Sequence, residues 1–261
     1  LNSVDLFGAR HAAEAASLVT TIHGVMGEKR MSSAAALQAV EQVTSSDRVD
    51  LIRRLTKEML LDPQRRIELD ELVAQEVHRV LAVLQDEDQV KGLSGSNDET
   101  LLELAQRSRD MFALVAPFCA SLQVAARWGS PAALRPWAGG IKSFVSAADK
   151  IAGGNEALLA LRHLPGVAAI MTAGIACVSN GTWANMHALL DQQIRSNRYP
   201  QQRTLLDVSD PYAPFAVEAV PNLLVHAMRN DQTLDEALAD MNSRRQKYYV
   251  PVAQWLHHML R

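Results

Sequence analysis

The residues able to do chemistry here are eight histidines, two cysteines and scattered carboxylates, and their spacing decides which reactions they could support. A metal site would need ligands converging from one helical face or a tight turn. There is no His-Glu-x-x-His and no Cys-x-x-Cys. His257 and His258 are adjacent and point about 100° apart on a helix. Glu71 and His78, two turns apart, are the nearest approach to a ligand pair and read as a solvated face. No metal is expected. Nucleophilic catalysis would need an activated serine or cysteine. No Gly-x-Ser-x-Gly elbow occurs, and Cys119 and Cys177 sit in apolar runs where the thiol pKa rises rather than falls. Neither nucleotide-binding glycine motif is present. The Gly139-Gly140 and Gly153-Gly154 pairs read as helix ends instead. No catalytic residue and no cofactor are expected.

Binding chemistry is better represented. Trp128, Trp137 and Trp183 fall near the ends of apolar segments, where an amphipathic ring can either plug the rim of a core or line a groove for a partner. Together with Arg162, His163 and His187 they form the candidate binding set. Arg244, Arg245 and Lys247 precede Tyr248-Tyr249, and Arg195, Arg198 and Arg203 flank Tyr199. Such mixtures can stack on a nucleic acid, but Asp207, Asp210, Asp235 and Asp240 dilute the field. Asn180-Gly181-Thr182 matches a glycosylation acceptor and reads more simply as a turn.

The elements that must position these residues are helical. Apolar positions recur every three or four residues, and alternating βαβ patterning is absent. Helices are expected at about 4–26, 34–43, 47–61 and 64–85, with Asp62-Pro63 separating the last two. The stretch 86–98, rich in charge, glycine and serine, reads as a linker between an N-terminal lobe (1–90) and a C-terminal lobe (91–261), which could also pack as one domain. A Ser96-x-x-Glu99 capping box opens a long helix that Pro117 should kink or break. Shorter segments follow at 131–137, 141–151, 156–164, 167–178 and 182–194. Gly166–Val178 is apolar on nearly every face, so other helices should enclose it. Residues 195–214 form a long polar segment with a short strand at 204–208. A Thr233-x-x-Glu236 capping box starts a last helix that Pro251 interrupts. The expected fold class is all-α, an irregular multi-helix bundle or helical-hairpin array.

Composition bounds the function. With 48% hydrophobic and 21% charged residues in 261, a sizeable core is available. The formal net charge of -3 argues against a general nucleic-acid binder. Two cysteines in apolar runs fit a reducing cytoplasm, and no leader sequence is legible. The longest uncharged apolar run falls short of the roughly 20 residues of a membrane span.

The segment 116–190 contains Arg127-Trp128-Gly129, Trp137, Leu161-Arg162-His163-Leu164-Pro165, Gly174-Ile175-Ala176, and Trp183 before Leu189-Leu190. In this order of elements it resembles the C-terminal helical region of bacterial antiviral STAND NTPase and sirtuin-like effector proteins. The resemblance implies a non-catalytic part of a longer protein with a separate effector upstream, and it carries over no catalytic residue. The family's arginine, tyrosine, proline turn stands here as Arg162-His163-Leu164-Pro165.

The leading expectation is therefore a non-catalytic interaction, sensor or regulatory module that binds a protein partner or another domain of the same polypeptide, with homo-oligomerisation open and neither nucleic acid nor membrane expected. Two rivals remain. An enzyme would gather at least three of Glu156, Arg162, His163, His187 and Asp191 in one deep pocket. A small-molecule-binding bundle would enclose an apolar cavity beside Trp128, Met171 and Trp183.

Overall fold

A computed structural model describes residues 45–93, 95–150, 153–195 and 201–244. The helices expected at 4–26 and 34–43, the Pro251 interruption, the Arg198-Tyr199 pair and the basic-aromatic run after Arg244 lie outside them.

Helix α1 (Ser45–Leu60) ends before Asp62, whose side chain accepts from the Gln64 amide and whose neighbour Pro63 opens a 3-10 turn into α2 (Arg66–Gln85). The expected linker is an ordered connection. Asp86 caps a 3-10 turn at Glu87–Val90, and Ser96 and Glu99 form the anticipated capping box that starts α3 (Asn97–Trp128). The described residues all fall within one compact unit, those on both sides of this stretch included, as the alternative of a single domain allowed. The reason is visible in the packing: α1 lies along α3, and α2 lies along α4 (Arg135–Ala148).

At Pro117 the break does not occur, and at Gly139-Gly140 the expected helix end is overturned. Pro117 sits inside α3, which runs unbroken for 32 residues. Proline removes one backbone hydrogen bond, yet the side chains from Val115 to Ala120, Ala116 aside, are buried, mostly against α1 and α6, and that packing holds the helix together. Gly139 and Gly140, read as a helix end, lie in the interior of α4. Phe118 and Phe144, edge to face with centroids 5.0 Å apart, press so closely on Gly140 that a Cβ there would stand 2.7 Å from the Phe118 ring.

The next hairpin follows the sequence more closely. Asn155 caps α5 (Glu156–Leu161), accepting from the amides of Ala157 and Leu158. After a short break, α6 (Leu164–Asn180) begins with Pro165 in its first turn. It stops at Gly181, whose φ of 65° is the left-handed conformation that glycine adopts without steric cost. α7 (Trp183–Leu190) follows. α6 is not fully enclosed. Its buried side packs on α3, whereas Ile175 and Val178 are 44% and 55% exposed.

Beyond α7 the polar segment holds a two-stranded antiparallel ribbon, β1 (Gln193–Arg195) with β2 (Gln202–Thr204), in register Ile194 opposite Arg203. The strand expected at 204–208 is instead the end of β2 followed by α8 (Leu205–Val208), because Thr204 and Asp207 form a capping box. α9 (Ala219–Asn230), which the sequence reading did not anticipate, packs on α3, and α10 (Leu234–Arg244) follows with its Thr233–Glu236 box in place. The fold class is all-α, a multi-helix bundle around the central α3, with one minimal ribbon.

Two described stretches, Asn97–Trp128 and Glu156–Asn180, are long and apolar enough to cross a membrane. In each, 67% of the apolar window is buried inside the fold, as in the core helices of a bundle.

Candidate interaction groove and a buried arginine

A concavity of about 780 Å³ lies where α1, the end of α3 and the end of α6 meet. α1 supplies Asp50, Arg53, Arg54 and Lys57, spaced so that one helical face carries them. α3 supplies Gln123, Val124, Arg127 and Trp128, and α6 supplies Ile175, Ala176, Ser179 and Asn180. Trp128 is the centre of the arrangement. Its ring is 45% exposed, with the Lys57 ammonium 5.1 Å and the Arg127 guanidinium 4.6 Å from the ring centroid.

Backbone anchoring fixes that tryptophan. α3 ends at Gly129, where a Cβ would stand 2.6 Å from the Ala125 carbonyl oxygen. The carbonyls left over at this helix end are taken up from α7: the buried Asn185 amide donates to Ala126 and Gly129, both at 2.9 Å, and the Thr182 hydroxyl donates to Ala126 at 3.1 Å.

The charge balance of the groove is positive. Asp50 pairs with Arg53 at 2.7 Å and is the only carboxylate among the described lining residues, so Arg54, Lys57 and Arg127 outnumber the acids there. This basic face was present in the sequence as Arg53-Arg54 and Lys57. It was missed because a charged helix face ordinarily reads as solvated surface.

The six residues singled out from sequence do not assemble into one site. Trp128 lines the groove. Trp137 is fully buried, its indole N–H donating to Ser121 Oγ at 2.9 Å, so it belongs to the core. Trp183 is 57% exposed at the start of α7 and does not line the groove. His187 is exposed and lies 3.2 Å from Asp191 one turn on. His163 is buried. Arg162 is only 3% exposed and lines a separate cavity with Arg107, Asp110, Met111 and Leu161.

The two rival readings can be set against this geometry. Of Glu156, Arg162, His163, His187 and Asp191, only Arg162 lines any of these cavities. Met171 and Trp183 are not part of the concavity beside Trp128. Among the described residues no cluster of His, Cys, Asp and Glu could hold a metal ion. Both cysteines are free and buried. Burial pushes the Cys119 thiol up to about 12 against a weak opposing hydrogen bond from Thr172, and it raises Cys177 as well. Thiols held protonated in this way are poor nucleophiles.

Compared with known proteins, the chain matches no family model, no curated protein and no solved structure.

Proposed function

We propose that this helical unit is a non-catalytic interaction module that holds an acidic segment of a protein partner in the groove between α1, α3 and α6. The observation that carries the reading is the set of cations around Trp128, with Asp50 the one acid among the described lining residues. Ile175 lines the same groove and Val178 is exposed one turn away on α6, so apolar contact is available beside the charge. A peptide bearing carboxylates next to an apolar or aromatic side chain satisfies both.

A nucleic-acid backbone would satisfy the cations alone. The exposed apolar residues would then gain nothing, and the Trp128 ring, already engaged by Lys57 and Arg127, is poorly placed to stack on a base.

The likeness of residues 116–190 to the helical regions of bacterial antiviral effectors supports placing the module within a larger defence protein, where the partner segment could belong to another domain. Two free, buried cysteines fit a reducing cytoplasm. The reading frame on either side of this segment tests that placement, since an upstream NTPase or sirtuin-like domain would support it and an unrelated neighbour would remove it.

Selection of a random peptide library on the immobilised protein tests the groove. Enrichment of Asp and Glu beside Leu or aromatic residues is expected, with binding lost in the Arg54→Glu/Lys57→Glu variant. Peptides without acidic bias, or single-stranded RNA binding more tightly than any selected peptide, would sink the reading.

A further inference from the structure

The groove at Trp128 has a counterpart of opposite sign at the other end of α3. There the first turns of α3 and α10 meet the corner that joins α9 to α10. Glu99, Glu103, Asp231, Asp235 and Glu236 line this face, with Arg109 the one cation among its described lining residues. Local sequence sets the clustering. Both helices open with a capping box, at Ser96 and at Thr233, and acidic residues favour a helix N-terminus because its amides are unpaired. The hydrogen bonds that Glu99 accepts from Ser96 and Glu236 from Thr233 hold both carboxyls below the usual carboxylate range, so the face stays negative at neutral pH.

The corner itself matches what the groove is fitted to receive. Asp231 turns the chain at φ 52° between α9 and α10. Asp231 and Asp235 are exposed and enter no ion pair among the described residues. Met228, one turn back on α9, is 48% exposed. Carboxylates thus stand beside an apolar side chain, as Ile175 and Val178 stand beside the cations around Trp128.

We propose, resting on the groove reading above, that the occupant of the Trp128 groove is the acidic α9–α10 corner of a second copy of this chain, so that copies associate head to tail. A chain cannot seat its own corner in its own groove, because about 36 Å of unbroken helix separates Glu103 from Arg127 at 1.5 Å per residue. Charge decides the symmetry. Pairing groove with groove about a two-fold axis would set Arg54, Lys57 and Arg127 against their own copies, and corner on corner would set acid against acid. Groove on corner joins opposite signs. A contact between two different faces leaves one of each unfilled at the ends of every oligomer, so growth continues unless a ring closes. The charges on both faces are exposed, which makes the contact weak and sensitive to salt.

Sedimentation velocity of this chain over a wide concentration range tests it. The weight-average sedimentation coefficient should rise past the dimer value at low salt and return toward the monomer as salt is added. Two variants block one face each: Arg54→Glu/Lys57→Glu removes the groove, and Asp231→Asn/Asp235→Asn neutralises the corner, asparagine being tolerated in the left-handed backbone at 231. Each alone should associate roughly tenfold more weakly with its far-UV circular dichroism spectrum unchanged. Mixed in equal amounts, they should form a dimer and nothing larger, from the corner of the first and the groove of the second. A wild-type chain that stays monomeric at every concentration, or stops at a two-fold dimer, would overturn the proposal. So would undiminished association in either variant, or a mixture that remains monomeric. If the wild-type chain is monomeric but a library-selected acidic peptide still fills the groove, self-association alone fails and the groove reading stands.

Discussion

Gly139 and Gly140 are consecutive in one helix and should respond to the same substitution with opposite signs. Both lie inside α4 with right-handed helical backbone, so alanine fits either position conformationally. At Gly139, which is exposed, an added Cβ meets nothing within 4 Å. Gly139→Ala should therefore gain the helix-propensity difference, about 1 kcal/mol. At Gly140 the same methyl would stand 2.7 Å and 2.9 Å from two atoms of the Phe118 ring and 2.8 Å from Val77 Cγ2. Phe118 cannot yield freely, because it is fully buried and set edge-on against Phe144. Overpacking a closed core costs about 1–3 kcal/mol, which outweighs the propensity gain. The propensity gain is common to both, so the two variants should differ by the overpacking cost, about 1–3 kcal/mol, or roughly 2–12 °C in melting temperature for a protein of this size. Thermal and urea unfolding followed by circular dichroism read both quantities. Gly140→Ala matching or exceeding Gly139→Ala in stability would refute the packing of α4 on α3 and α2 described above.

Further tests address other parts of the fold. The buried Glu76 carboxylate is paired with Arg48 and, at 3.0 Å, with Arg79, so Glu76→Ala should cost about 3–5 kcal/mol in urea unfolding by leaving Arg48 buried without its acid. Ser121→Ala should cost about 1–3 kcal/mol by orphaning the Trp137 indole N–H, measurable in the same assay, and no loss would place Trp137 outside the core. The Cys119 thiol is pushed up to about 12 in the folded chain, above its unfolded value of roughly 8.5. The folded state then holds a proton that the unfolded state releases, so stability is full below about pH 8.5 and falls as pH rises toward 12. A pH series of urea midpoints should show this decline and Cys119→Ala should flatten it. Iodoacetamide should leave both thiols of the folded protein unmodified at pH 8.

How much of this was legible in the sequence follows from which forces are local. The boundaries of α1, α2 and α3, the turn at Gly181 and the boxes at Ser96 and Thr233 are set by residues within one turn of each other, and all were readable. The break offered at Pro117 and the helix end offered at Gly140 do not form, because α6, α1 and Phe118, partners distant in sequence, pack against those positions. The start of α9 carries no side-chain cap, its N-cap position being Glu218, and the polar stretch before it hides the onset of its apolar rhythm. The groove was half legible. Trp128 was singled out, but Arg53, Arg54 and Lys57 acquire meaning only when α1 is laid against the end of α3. Arg162 was picked out as a binding residue, whereas its burial is a property of the packed chain alone.

The groove stands or falls most directly on a charge-swap titration. An acidic peptide taken from the library selection is titrated into the wild-type chain and into Arg54→Glu/Lys57→Glu, and a version with its Asp and Glu changed to Lys is titrated into both. The acidic peptide should lose at least tenfold in affinity for the variant, about 1.4 kcal/mol, and the lysine peptide should prefer the variant over the wild type. Equal affinities of the acidic peptide for both proteins, at low and at high salt, would contradict the assignment of this groove as an acceptor of acidic segments.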